Sequence, residues 1–171
     1  MNVLVIRHAI ACDRDEFAKS HPGEDDGARP LTGRGRKRMR AVAGGVRRVA
    51  PAIDLLASSP LVRAVQTADI VEACCGGPKR IVVPQLAPEQ PVTGLLKWLQ
   101  SQQPESNVAL VGHEPQLSTF VGWMCTGLQE SFIRLKKGGA CLLRLNPDIK
   151  PGRATLLWSL APAQLRGLGK S

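Results

Sequence analysis

The chain has 171 residues and 43% hydrophobic content, enough for one domain with a buried core. No apolar run approaches the ~20 residues of a membrane helix, and Arg7-His8 interrupts residues 3–6 before they could form a signal-peptide core, so a cytoplasmic protein with no membrane partner is expected. The net charge is +9, but with 4% aromatic residues and no tyrosine the stacking platforms of single-strand binders are scarce, and no nucleic-acid partner is expected.

Residues 2–6 predict a short buried strand that ends at Arg7-His8. Residues 9–30 carry charges and turn formers and predict a polar loop, with six acidic side chains between 13 and 26. Thr32 starts a helical pattern in which Met39, Val42, Ala43, Val46 and Val49 share one face. Gly44-Gly45 weakens that helix and Pro51 ends it. Residues 29–48 hold eight basic side chains and no acidic one, which predicts the solvated face of a helix.

Asp54–Ala57 predicts a second strand. Ser59 as N-cap and Pro60 at the first helical position predict a helix carrying Leu61, Val65, Ala68 and Val71, closed by Gly76-Gly77-Pro78. Arg80–Pro84 predicts a third strand, 85–94 a proline-containing loop and 95–102 a short helix. Residues 107–111 predict a fourth strand, 115–126 a helix, and Ala140–Leu145 with Ala154–Leu160 two late strands joined at Asn146-Pro147-Asp148. Strands alternating with helices predict an α/β sandwich around a largely parallel sheet, in one domain spanning 1–171.

The five cysteines are odd in number and show no C-x-x-C pair, so reduced, mostly buried thiols are expected rather than disulfides or a zinc site.

Two histidines and two arginines stand at strand ends or a helix start. Arg7-His8 follows the first strand, Arg63 falls in the first turn of a helix, and Gly112-His113-Glu114 follows the fourth strand. Ligands of open α/β sheets bind outside the carboxyl ends of the strands. Phosphate needs fixed positive charge and oriented donors, which Arg7 and Arg63 supply as planar, permanently charged forks. Arg63 adds the N-terminal end of its helix. His8 can attack phosphorus with one ring nitrogen if the other gives its proton to a fixed acceptor. His113 can hold a phosphoryl oxygen opposite His8, while His21 lies in the polar loop. Phosphoryl transfer through a phosphohistidine is the chemistry these residues suggest. Glu89 and Glu114 are the nearby carboxyls able to protonate a leaving group.

Arg7-His8, Arg63 within Ser-Pro-Leu-Val-Arg-Ala-Val-Gln-Thr, and Gly112-His113-Glu114-Pro115 together resemble the histidine phosphatase superfamily, with its phosphoglycerate-mutase-like fold. The family's first motif is usually Arg-His-Gly, and here Ala9 stands third. The short length and Arg29-Pro30-Leu31-Thr32 look most like its compact phosphohistidine phosphatases of the SixA type, and the resemblance covers roughly residues 2–160. It implies a three-layer α/β/α sandwich around a mostly parallel sheet. It also implies a phosphohistidine intermediate at His8, a phosphate pocket of Arg7, His8, Arg63 and His113, and no metal or cofactor. Larger relatives place an acid after the third strand, where Glu89 falls. If the substrate is itself a phosphohistidine, imidazole leaves readily near neutral pH and a dedicated acid matters less.

The main expectation is a phosphatase acting on phosphohistidine of a signalling or phosphorelay protein. One alternative is a small-molecule phosphomonoesterase using the same pocket. The other is a non-catalytic binding protein that uses the basic 29–48 segment. No oligomeric state follows from the sequence.

Overall fold

The computed structural model describes residues 1–169. Six strands form one mixed sheet: β1 (Asn2–Arg7), β2 (Leu55–Ser58), β3 (Lys79–Val82), β4 (Asn107–Gly112), β5 (Ala140–Arg144) and β6 (Thr155–Leu160), in the order β3-β2-β4-β1-β5-β6. β1, β2, β3 and β4 run parallel, and β5 and β6 add an antiparallel edge. The six helices are α1 (Arg14–Ser20), α2 (Gly33–Val49), α3 (Val62–Cys74), α4 (Val92–Gln100), α5 (Gln116–Thr126) and α6 (Pro162–Leu168).

Alternation along β1 builds the three layers. Val3 and Val5 point into a core closed by Leu95 and Leu99 of α4 and Leu117 and Phe120 of α5. Leu4 and Ile6 point into a second core closed by Met39, Val42 and Val46 of α2, Ala68 and Val71 of α3, and Leu165 of α6. A central strand buried on both faces reads as a continuous apolar run, which is why β1 and β4 are legible in the sequence.

Local chemistry sets most boundaries. Thr32 caps α2 as expected, its hydroxyl accepting from Gly35 N at 2.9 Å. Gly45, which weakens α2 on propensity alone, sits where α6 crosses, and a Cβ there would lie 1.9 Å from the carbonyl oxygen of Leu165. The helix carries glycine at that point because only a bare backbone lets α6 approach.

Several expectations are corrected. The segment read as a polar loop contains α1, capped by Asp13, and a 3-10 turn at Asp26–Ala28 capped by Asp25. Its short amphipathic pattern buries only Phe17, too little for a periodicity to register. α3 begins at Val62 after Leu61 rather than at Pro60, and Ser59 lies in the preceding turn, its hydroxyl accepting from Leu61 N at 3.3 Å. α4 starts at Val92, directly after Pro91. α6 buries only Leu165 and escaped notice for the same reason as α1. Of the basic run, Arg29 stands outside α2 and is buried, whereas Arg34, Lys37, Arg40, Arg47 and Arg48 are exposed. All five cysteines are free, and only Cys141 is fully buried.

Candidate active site

Strand register assembles the site. Arg7 pairs with Gly112, and Ser58 pairs with Val111, so the residues that follow β1, β2 and β4 emerge together at one edge of the sheet. The ladder continues one step further, with His8 N donating to Gly112 O at 3.0 Å and Ser59 N to Val111 O at 2.9 Å. His8, Ser59 and His113 are thereby neighbours despite their separation in the chain. The rings of His8 and His113 lie 5.0 Å apart between centroids.

His8 is held from both sides. Its Nδ1 lies 2.7 Å from the carbonyl oxygen of Ala9, which can only accept, so Nδ1 carries the proton and Nε2 the lone pair. Ala9 N in turn donates to Thr67 Oγ1 at 3.0 Å, and Thr67 donates to Arg63 O at 2.7 Å. Ala9 is not among the residues with positive φ, so alanine fits where relatives usually carry glycine. Gly138, at φ 78°, brings its N–H to the carbonyls of Arg7 and His8.

Burial, with the charges of Arg63, Arg7 and Lys137 adding to it, pushes the His8 imidazole down to about 4. Burial and the charges of the same two arginines and His8 take His113 down to about 3. Both rings are therefore neutral at pH 7, and His8 is chemically a nucleophile there. His113 Nε2 shares a hydrogen bond of 2.8 Å with Ser59 Oγ.

The arginines are anchored through their terminal nitrogens, one in Arg7 and both in Arg63. Arg7 donates from one terminal nitrogen to Leu135 O at 2.9 Å. Arg63 donates to the backbone carbonyl of Asp26 at 2.8 Å and pairs with its carboxylate at 3.1 Å. The Nε atoms of both are buried with no hydrogen-bond partner within the described residues. Two aimed N–H groups with nothing to bind are costly unless an anion takes them. Asp26 also holds Arg29 at 3.0 Å and Arg14 at 3.1 Å. Partial burial raises the Asp26 carboxyl, but the Arg29 hydrogen bond and the charges of Arg63, Arg29 and Arg14 outweigh it and leave the group below the usual carboxylate range.

His8 and His113 lie side by side, and the charges of Arg7 and Arg63 act on both rings. Glu89 makes no hydrogen bond to any of the four among the described residues. It sits at φ 69° on the wall of a separate pocket of about 460 Å³ that also contains Glu114 and Arg14. Glu114 has both carboxylate oxygens engaged, one accepting from Leu135 N at 3.1 Å and the other from the Ser118 hydroxyl. It fixes the backbone whose carbonyl holds Arg7. Sequence reasoning missed Ser59 and Thr67 as parts of the site, and gave Asp26 no role in holding Arg63. Ser59 carried a signal, since its Ser-Pro turn follows a strand; Asp26 carried none.

A parallel sheet whose strand ends deliver two neutral histidines between two anchored arginines defines a protein that handles phosphate through histidine. The match to the family model "Histidine phosphatase superfamily (branch 1)" covers residues 3–87. An uncharacterized protein of Picosynechococcus is 35% identical over 146 residues, 84% of this chain and 85% of its own. Phosphohistidine phosphatase SixA of Escherichia coli is 25% identical over 169 residues, 97% of each chain. The solved structure of the protein histidine phosphatase SixA complexed with tungstate superposes with a TM-score of 0.81 at 26% identity, covering 96% of this chain and 99% of the other. The chain belongs to the histidine phosphatase superfamily and is a phosphatase of its compact, SixA-like kind.

Proposed function

We propose that the protein removes phosphoryl groups from phosphohistidine on another protein, without a metal or cofactor, by carrying the group on His8. The observation that carries this reading is the 2.7 Å contact between His8 Nδ1 and Ala9 O, which leaves the lone pair of the neutral ring on Nε2. In the first step Nε2 attacks phosphorus and the substrate's P–N bond breaks. The leaving imidazole takes the electron pair and a proton from water, and the hydroxide left behind takes up the proton that the attacking water sheds in the second step. In the second step water attacks the phosphorus on His8, the Nε2–P bond breaks, and inorganic phosphate departs with His8 neutral again.

Arg7 and Arg63 balance the charge on the equatorial oxygens, the task a metal ion performs elsewhere. His113 donates to or orients a phosphoryl oxygen. Phosphohistidine is favoured because, among the described residues, Glu89 lines another pocket and each oxygen of Glu114 already accepts a hydrogen bond. A substrate with a good leaving group needs none. Five free thiols fit a reducing, cytoplasmic setting, and one domain suffices for the reaction.

The test is a paired assay of wild type and His8→Ala on free phosphohistidine, p-nitrophenyl phosphate and phosphoserine peptides at neutral pH with chelator present. Turnover of phosphohistidine alone, lost in the variant, is the expected result. Comparable turnover of the esters would move the reading to a small-molecule phosphatase. No turnover by folded wild type would favour a binding protein.

A further inference from the structure

Beside the site, on the face covered by α2 and α6, lies a pocket of about 450 Å³ lined by six cations and no carboxylate: Arg7, Arg38, Arg134, Lys136, Lys137 and Arg166. Arg38 comes from α2, Arg166 from α6, and the others from the end of β1 and the segment before β5. None of the six forms an ion pair among the described residues. Partial desolvation of the Lys137 ammonium, and after it the charges of Arg7 and Arg29, hold that group below its ordinary value although the residue as a whole is exposed. The pocket is contiguous with the phosphate site, since it shares Arg7 with it and Gly138 donates to the carbonyls of Arg7 and His8.

A second pocket carries carboxylates. The pocket on the α4 and α5 face contains Glu89 and Glu114 against one arginine, Arg14. The two pockets therefore present a difference in charge to a substrate that approaches the site. Such a difference orients a partner as well as attracting it.

Building on the phosphatase reading, we propose that the pocket of Arg38, Arg134, Lys136 and Arg166 is a specificity site that seats an acidic segment of the phosphoprotein substrate. A peptide fits better than a small inorganic polyanion because Ile10, Met39, Val42 and Pro162 also line the pocket. Apolar floor and cationic rim match a segment that offers aliphatic and carboxylate side chains together. Arg134, Lys136 and Lys137 are exposed, so each rim contact is individually weak and the selectivity is collective.

The test uses peptides with one phosphohistidine flanked on either side by glutamate, glutamine or lysine, with free phosphohistidine as the reference. Wild type should show a kcat/KM about tenfold higher for the glutamate than for the lysine peptides at low ionic strength, expressed in KM and lost in high salt. The double variant Arg38→Glu/Arg166→Glu should invert that order while hydrolysing free phosphohistidine at the wild-type rate. Equal kcat/KM for all peptides in wild type, or an unchanged order in the double variant, would overturn the proposal. Stronger competition by diphosphate than by orthophosphate, with the peptides indistinguishable, would assign the pocket to a small anion instead. If wild type leaves free phosphohistidine intact, the phosphatase reading fails separately. The pocket is then judged by fluorescence anisotropy with unphosphorylated glutamate and lysine peptides, and equal affinities reject it.

Discussion

Asp26 grips Arg63 twice, through its backbone carbonyl at 2.8 Å and its carboxylate at 3.1 Å. The acidic segment that follows the nucleophile thus positions a cation of the phosphate site. The same carboxylate neutralises Arg29 and Arg14, so three guanidinium groups depend on one side chain.

Removing that carboxylate leaves two buried arginines, Arg29 and Arg63, without a counter-charge. Asp26→Ala should lower unfolding stability by about 1–3 kcal/mol, a figure discounted because Asp26 is partly exposed. Glu24→Ala, on the exposed stretch beside it, should stay within about 0.5 kcal/mol. Urea unfolding of the two variants checks the contrast, and equal losses would show that the ion pairs contribute little.

Arg63 itself is expected to bind the transferred group. Arg63→Ala should weaken vanadate binding by a few kcal/mol, the scale of a lost charge-assisted contact. Titration by inhibition or calorimetry measures it, and an unchanged affinity would remove Arg63 from the site.

The hydrogen bond between Ser59 and His113 predicts a smaller, geometric effect. Ser59→Ala should cut kcat/KM about tenfold, the cost of roughly one hydrogen bond, with the fold intact. Glu89→Gln, by contrast, should leave phosphohistidine turnover within about twofold of wild type. A large loss in the glutamate variant confined to phosphoesters would restore Glu89 as a general acid.

The depressed histidines make stability pH-dependent. Between about 4 and 6.5 the unfolded chain binds protons at His8 that the folded protein refuses, so stability rises with pH through that window and levels off above it. At about 1.4 kcal/mol per pKa unit, His8 accounts for on the order of 3 kcal/mol lost on acidification from pH 7 to 4, and His113 adds to it. His8→Asn should flatten the slope of unfolding free energy over this range. A slope unchanged by the substitution would assign the acid sensitivity to other groups.

The two adjacent glycines of α2 should respond oppositely to alanine. At Gly45 a Cβ would meet Leu165 O at 1.9 Å and drive α6 away, so Gly45→Ala should be destabilising despite the better helix propensity. At Gly44 the nearest atom is 3.9 Å away, and Gly44→Ala should stabilise by about 0.5–1 kcal/mol. Thermal melts of the pair decide between packing and propensity.

Much of this protein is determined locally. The apolar runs of β1 and β4, the Thr32 cap and the helical stripe of α2 are properties of contiguous residues, so they are visible in the sequence. So is the ending of two such runs in Arg7-His8 and Gly112-His113, which the register of β1 on β4 then brings to the same end of the sheet. Whatever depends on distant segments meeting was decided only in the tertiary structure. Asp26 reaches Arg63 across 37 positions, and Leu135 reaches Arg7 across 128, neither with a local pattern to announce it. Glu89 follows β3 in the sequence, and only the tertiary structure shows that it lines a pocket with Glu114 and Arg14. The charge of +9 is a property of composition, but its gathering into one basic pocket arises from the packing of α2 and α6 beside the end of β1 and the segment before β5.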